Sequence, residues 1–120
     1  MISHVVLFSP RADLPESTRR ELLESLATAA REIAGVTRFD LGRRIRHGLP
    51  GYEQAMRDDY AFAVMVEVET VDALKAYLAH PAHVAIGRHF SASAARALAY
   101  DYEMFDARGA SLVTELTRPT

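Results

Sequence analysis

Apolar residues recur at alternate positions in four segments of the chain, less regularly in the second, and this is the pattern of β-strands. The first segment, Ile2 to Phe8, stops at Ser9-Pro10, because proline cannot donate a hydrogen bond to a sheet. The other three are Val36 to Ile45, Tyr60 to Glu69 and Leu98 to Phe105. The segment Tyr60 to Glu69 is apolar on both faces, so we expect other parts of the protein to cover both faces of this strand.

Two regions instead repeat apolar residues at helical spacing. One begins at Pro15, whose fixed φ suits a first helical turn, and ends at Gly35. The second has Thr70 as its N-cap, and Pro81 should kink or restart it. The first apolar stripe comprises Leu22, Leu26, Ala29 or Ala30, and Ile33; the second comprises Val71, Leu74, Tyr77 and Leu78. The piece after Pro81 offers Val84, Ile86, Phe90 and Ala94 for burial.

The remaining segments lack a sustained period. Arg46 to Asp59 predicts a loop with at most one helical turn, and the chain after Asp106 is polar, which suggests a tail or a short exchanged segment. We therefore expect one domain over residues 1–106 and a C-terminal tail over 107–120. Within the second strand, the alternation predicts a wetter face formed by Val36, Arg38 and Asp40.

The order strand, helix, strand, strand, helix, strand is that of an α+β, ferredoxin-like βαββαβ subunit with a four-stranded antiparallel sheet. Two helices cover only one face of such a sheet. The apolar residues on the other face need a second layer, and a second copy of the sheet is the simplest one. We therefore predict a homodimer whose sheets meet face to face in a barrel.

Composition narrows the possible chemistry. The 120 residues include no cysteine, so reactive groups are limited to imidazole, carboxylate and phenol. A net charge of −2 gives no basic surface for nucleic acid. The longest apolar run, Ala61 to Val66, is far shorter than the roughly 20 residues that span a bilayer, and the first residues lack a signal peptide's charged region. We expect a cytoplasmic protein without membrane or nucleic-acid partners.

The five histidines differ in their surroundings. His47 lies in the charged loop, where solvation is expected, and His89 lies near a predicted helix end. His4 stands on an apolar strand face between Ile2 and Val6, which leaves a hydrogen-bonded core histidine and a functional group as equal alternatives.

His80 and His83 lie three residues apart across Pro81, one turn after Tyr77. Side chains at i and i+3 share a helix face, so a metal pair is conceivable, but the spacing fixes no third ligand and Pro81 can make His80 a cap. We expect no metal site. Acid–base chemistry suits the imidazoles better, because imidazole titrates near neutral pH. Ordinary core packing is the alternative for Tyr77.

Together these motifs resemble the Dabb family of stress-responsive dimeric α/β-barrel proteins over residues 1 to about 105. The resemblance rests on Met1 to Phe8, Gly35-Val36, Tyr77-Leu78-Ala79-His80-Pro81-Ala82-His83-Val84 and Asp101-Tyr102-Glu103. It implies the same subunit fold and barrel dimer.

In the branch of this family typified by olivetolic acid cyclase, a linear polyketide is closed by aldol condensation without a cofactor. The resemblance implies that His4, Tyr77 and His83 line the pocket here and that His80 is structural. His83 would be the general base, Tyr77 would donate to an enolate oxygen, and His4 would orient the substrate or move a proton. Asp101 or Glu103 either holds an imidazole in one tautomer or faces solvent.

The expected function is a cofactor-independent enzyme acting on a small hydrophobic carbonyl or polyketide-like compound by aldol cyclisation, isomerisation or C–C cleavage. A non-catalytic stress-responsive homodimer or hydrophobic-ligand-binding protein is the alternative, and a cofactor-free monooxygenase is a third. The charged loop from Arg43 to Asp59 and the tail depart from the cyclase pattern, so the substrate does not follow from the resemblance.

Overall fold

A computed structural model describes residues 1–119, in which four strands form one antiparallel sheet. The strands are β1 (Ile2–Pro10), β2 (Val36–Arg43), β3 (Phe62–Val68) and β4 (Ala94–Glu103). Their order across the sheet is β2-β3-β1-β4, so β1 and β3 are central. This topology confirms the predicted ferredoxin-like fold.

Helices pack on one face of this sheet. They are α1 (Glu16–Glu32), α2 (Val71–Ala79) and α3 (Pro81–Ser93). The Thr70 hydroxyl accepts a hydrogen bond from the Ala73 amide and caps α2 as predicted. A short helix, α4 (Leu112–Leu116), follows in the segment after residue 106, where no regular element was expected. Among residues 1–119, no helix is both long and apolar enough to cross a membrane.

The core lies between this sheet face and the helices. Its largest fully buried side chains are Phe8, Leu22, Leu26, Val64, Val66 and Val68. Burying a Val, Leu or Phe side chain contributes about 1.5–3 kcal/mol relative to leaving it exposed, so this layer stabilises the subunit. The side chain of His4 lies on the same face of β1 as Val6 and Phe8, and it is also buried.

Three sequence-based details are wrong. A bulge in β2 between Val36 and Arg38 places Val36 on the face of Phe39 instead of the wetter face. Ile45 lies outside β2 and is 76% exposed, because the strand ends at Arg43. Val84 is exposed instead of buried, because α3 turns Ile86 toward the core.

The start of β4 also differs from the prediction. Ala94 belongs to this strand and not to the preceding helix, since pairing with β1 extends β4 to Ala94. The strand ends at Glu103, two residues before the predicted end at Phe105.

The opposite face of the sheet is open in the single chain. Large apolar side chains lie exposed there, with Met65 at 44%, Tyr100 at 57% and Tyr102 at 51%. Exposed apolar side chains grouped on one sheet face are typical of a surface that meets a partner.

Candidate active site

Three aromatic side chains from three different elements meet beneath the helices. His4 comes from β1, Tyr77 from the last turn of α2 and His83 from the first turn of α3. The ring centroids of Tyr77 and His83 are 4.9 Å apart, and His4 lies 5.6 Å from Tyr77 and 6.0 Å from His83. The structure therefore brings together the three residues singled out from the sequence.

All three side chains line one cavity of about 330 Å³ between the sheet and the helices. Apart from them, its lining is apolar: Val6, Leu26, Val64, Leu78, Ile86, Gly87, Phe90, Ala97, Leu98 and Ala99. A small set of polar groups in an otherwise apolar cavity of this size is typical of a site for a small organic molecule.

The sheet register positions His4. His4 pairs with Asp101 across the β1–β4 ladder, and its Nδ1 atom lies 2.6 Å from Oδ1 of that carboxylate. Because a carboxylate only accepts hydrogen bonds, Nδ1 carries the shared hydrogen and Nε2 is free of this bond. Glu103, the other acidic candidate, pairs with Ile2 and is exposed.

The His80-Pro81 junction positions His83. A residue before proline avoids the helical region, and His80 is extended, with φ −64° and ψ 139°. This ends α2 and starts α3 at Pro81, as predicted. The Nδ1 atom of His80 accepts a hydrogen bond from the Ala82 amide at 3.0 Å. His80 is thus the N-cap of the helix that carries His83.

Burial changes the acid–base properties of two of the three groups. Burial lowers the pKa of His83 below the ordinary value of 6.5, and the neighbouring His4 lowers it further. Hydrogen bonding to the Leu78 backbone and the charge of Asp101 raise this pKa by smaller amounts. Burial raises the pKa of Tyr77 to about 12. At neutral pH, His83 is therefore a neutral base and Tyr77 a protonated phenol.

The other histidines lie outside this cavity. The Nε2 atom of His47 lies 3.4 Å from Oε2 of Glu53, so its ring faces a carboxylate within the loop between β2 and β3. His89 lies on α3 and is partly exposed. Within residues 1–119, no group of three or more His, Asp or Glu side chains is arranged to hold a metal ion.

Several cavity residues were not identified from the sequence. Leu26 and Phe90 were predicted only as members of apolar helix stripes, and Gly87, Ala97 and Ala99 were not predicted as site residues. The one available signal was the alternation along β4, which places the two alanines on the same face as Asp101.

The comparisons with known proteins agree with the fold. No curated protein matches this sequence. A Dabb family protein with a ferredoxin-like fold from Mesorhizobium loti is 25% identical, with a TM-score of 0.68 over 88% of this chain and 97% of that chain. A dimeric ferredoxin-like protein of unknown function from Jannaschia sp. is also 25% identical, with a TM-score of 0.66 over 86% of this chain and 98% of that chain.

A hydroxynitrile lyase from Passiflora edulis has a TM-score of 0.70 over 88% of this chain and 96% of that chain, but its identity is only 10%, so the likeness is one of fold. Three of the similar structures are themselves described as dimeric proteins with a ferredoxin-like fold. The family model described as the stress responsive A/B barrel domain matches residues 2–104, which include the whole sheet and all the site residues. The chain therefore belongs to the Dabb family.

Proposed function

We propose that this protein is a cofactor-independent enzyme that removes a proton from the carbon next to a carbonyl group in a small hydrophobic compound. The observation that carries the proposal is the convergence of a neutral imidazole and a protonated phenol, 4.9 Å apart between ring centroids, in one apolar cavity. A carbon acid needs a base at the carbon and a hydrogen-bond donor at the oxygen, and the two groups supply both.

His83 is the general base. Its lowered pKa leaves the imidazole neutral at physiological pH, and only the neutral imidazole can accept a proton. The carbon proton passes to this imidazole, and the electron pair of the C–H bond moves into the carbonyl to form an enolate.

Tyr77 stabilises that enolate. Its pKa of about 12 means that the phenol keeps its proton and donates a hydrogen bond. Such a bond is stronger to an enolate oxygen than to a ketone oxygen, so it favours the transition state over the bound substrate.

His4 is oriented by Asp101 and directs its remaining nitrogen away from that carboxylate. The 2.6 Å hydrogen bond fixes the ring, and the imidazole is close enough to both other rings to move a proton or to orient the substrate. Proton transfer and hydrogen bonding are the whole chemistry of this scheme, so it requires no metal or organic cofactor.

The enolate leads to aldol cyclisation, isomerisation or C–C cleavage, depending on the substrate. Cyclisation is the reaction of the olivetolic acid cyclase branch, which the motif around His80 and His83 resembles. Enolate formation is common to all three outcomes, so it is the step to test first.

Exchange of carbon-bound protons tests the proposal without knowledge of the product. We would incubate the protein with alkyl methyl ketones in D₂O and follow loss of the α-proton signals by NMR. Wild-type protein should accelerate exchange, and His83→Gln and Tyr77→Phe should abolish most of the acceleration. His89→Gln, on the same helix but outside the cavity, is the matched control. Equal exchange with and without folded wild-type protein would refute the proposal.

The apolar lining also favours a second candidate, a protein that binds a hydrophobic ligand without transforming it. Saturable ketone binding with no accelerated exchange would support that function. Oxygen consumption in the presence of a bound aromatic compound would instead indicate a monooxygenase.

A further inference from the structure

Gly87 lies in the interior of α3, where glycine is less favourable for a helix than alanine. Two common structural reasons for glycine do not apply here. Its φ is not positive, unlike those of Gly35, Gly48 and Gly51. Apart from its chain neighbours and the backbone of its own helix, a Cβ atom added at Gly87 would meet no atom of residues 1–119 within 4 Å, so no neighbouring element needs the space.

The space beside Gly87 belongs to the cavity that contains the three candidate catalytic groups. Ala97 and Ala99 of β4 line the same cavity, and all three small residues are exposed. The cavity is therefore open between α3 and the edge strand β4, along walls formed by backbone and methyl groups. Larger side chains at these positions would fill the opening.

We infer that Gly87 is a specificity-determining residue that leaves room for a bulky apolar group, such as a ring, on the substrate. The inference rests on the proposed function, which places the reacting carbonyl at His83 and Tyr77. The group beyond the carbonyl then extends past Ile86 and Phe90 toward the opening. Among residues 1–119, no Asp, Glu, Lys or Arg side chain lines this cavity, so the ligand class is a neutral ketone with a ring or branched substituent.

Binding of two ketones that differ only in bulk tests this role. The probes are 2-butanone and 4-phenyl-2-butanone, and dissociation constants would be measured by NMR titration for wild-type protein, Gly87→Ala and Gly87→Leu. We expect Gly87→Leu to weaken binding of the phenyl ketone by about tenfold or more, while that of 2-butanone changes little. Gly87→Ala should have a smaller effect in the same direction.

Controls separate size selection from damage to the fold. Arg88→Leu adds an apolar side chain at the next position of α3, outside the cavity lining, and should leave both dissociation constants unchanged. The thermal midpoint of Gly87→Ala should equal or exceed that of wild type, because alanine favours a helix.

Any of three results would overturn the inference. Gly87→Leu could weaken binding of both ketones equally, it could leave binding of the phenyl ketone unchanged, or the wild-type protein could fail to bind the phenyl ketone. Binding that depends on residue 87 without any proton exchange would overturn the catalytic proposal and leave the role of Gly87 standing. Proton exchange together with ketone binding that does not depend on residue 87 would overturn the role of Gly87 and leave the catalytic proposal standing.

Discussion

The Nδ1 atom of His4 and the Oδ1 atom of Asp101 are 2.6 Å apart, although 97 positions of sequence separate the two residues. His4 is buried in the core, whereas 41% of the Asp101 side chain is exposed at the edge strand. The pair links the inside of the cavity to the edge of the sheet. A hydrogen bond of this kind selects one imidazole tautomer and limits rotation of the ring.

We expect Asp101→Asn to reduce proton exchange by about tenfold to a hundredfold, the usual cost of losing a group that orients a functional histidine. The asparagine amide can donate to Nδ1 and thereby favour the other tautomer. The tautomer would be read from ¹⁵N–¹H correlation spectra of His4. Glu103→Gln is the matched control, and a loss of activity as large as that of Asp101→Asn would contradict the positioning role.

Tyr77→Phe keeps the ring that packs against His83 and Phe39 and removes only the hydroxyl. We expect the exchange rate at saturating ketone to fall by about a hundredfold to a thousandfold, the range for removal of one oxyanion donor. Urea unfolding should change by less than about 1.5 kcal/mol. Unchanged exchange by a folded Tyr77→Phe variant would remove Tyr77 from the mechanism.

The lowered pKa of His83 predicts how activity and stability vary with pH. Exchange should rise with pH through an apparent pKa below 6.5 and be level at neutral pH. The free energy of unfolding should also rise with pH. When the pH falls below 6.5, His83 is protonated in the unfolded chain but stays neutral in the folded chain, because its pKa there is lower. The folded state therefore loses stability until the pH falls below that lowered pKa.

Urea unfolding of wild type and His83→Gln at about pH 7.5 and about pH 5 would measure this contribution. The variant should lose less stability than wild type on acidification. An equal or greater loss would mean that His83 does not carry a lowered pKa.

His80 should matter for stability and not for chemistry. Removing its cap by His80→Ala is expected to cost about 1 kcal/mol, comparable to other N-caps, and His80→Asn should restore most of it. Exchange, measured well below the unfolding midpoint, should stay near wild type. If His80→Asn is as stable as wild type but has lost activity, His80 has a chemical role.

The open sheet face predicts the effect of charge on dimerisation. Tyr100→Glu places a carboxylate among exposed apolar side chains of β4 and should shift the protein toward monomer in sedimentation velocity. Ala30→Glu, on the exposed surface of α1, is the control and should leave the dimer intact. A Tyr100→Glu protein that remains fully dimeric would place the interface elsewhere.

The strands β1 and β3, the stripe of α1 and the restart at Pro81 follow from sequence because they depend on local periods and on the backbone limits of proline. The bulge in β2 and the early start of β4 depend on pairing with distant strands. Pairing also separates Asp101 from Glu103, which local alternation places on the same face of β4. The division between a domain and a tail at residue 106 stays a prediction.

The sequence by itself determined the fold class and, through its motifs, the three residues His4, Tyr77 and His83. Only the tertiary structure decided that their rings meet in one cavity, that Asp101 holds His4, and that Gly87 lines the same cavity. The physical reason is that periodicity specifies which side of an element is apolar, whereas distances between elements depend on strand register and helix packing, which involve residues far apart in the chain.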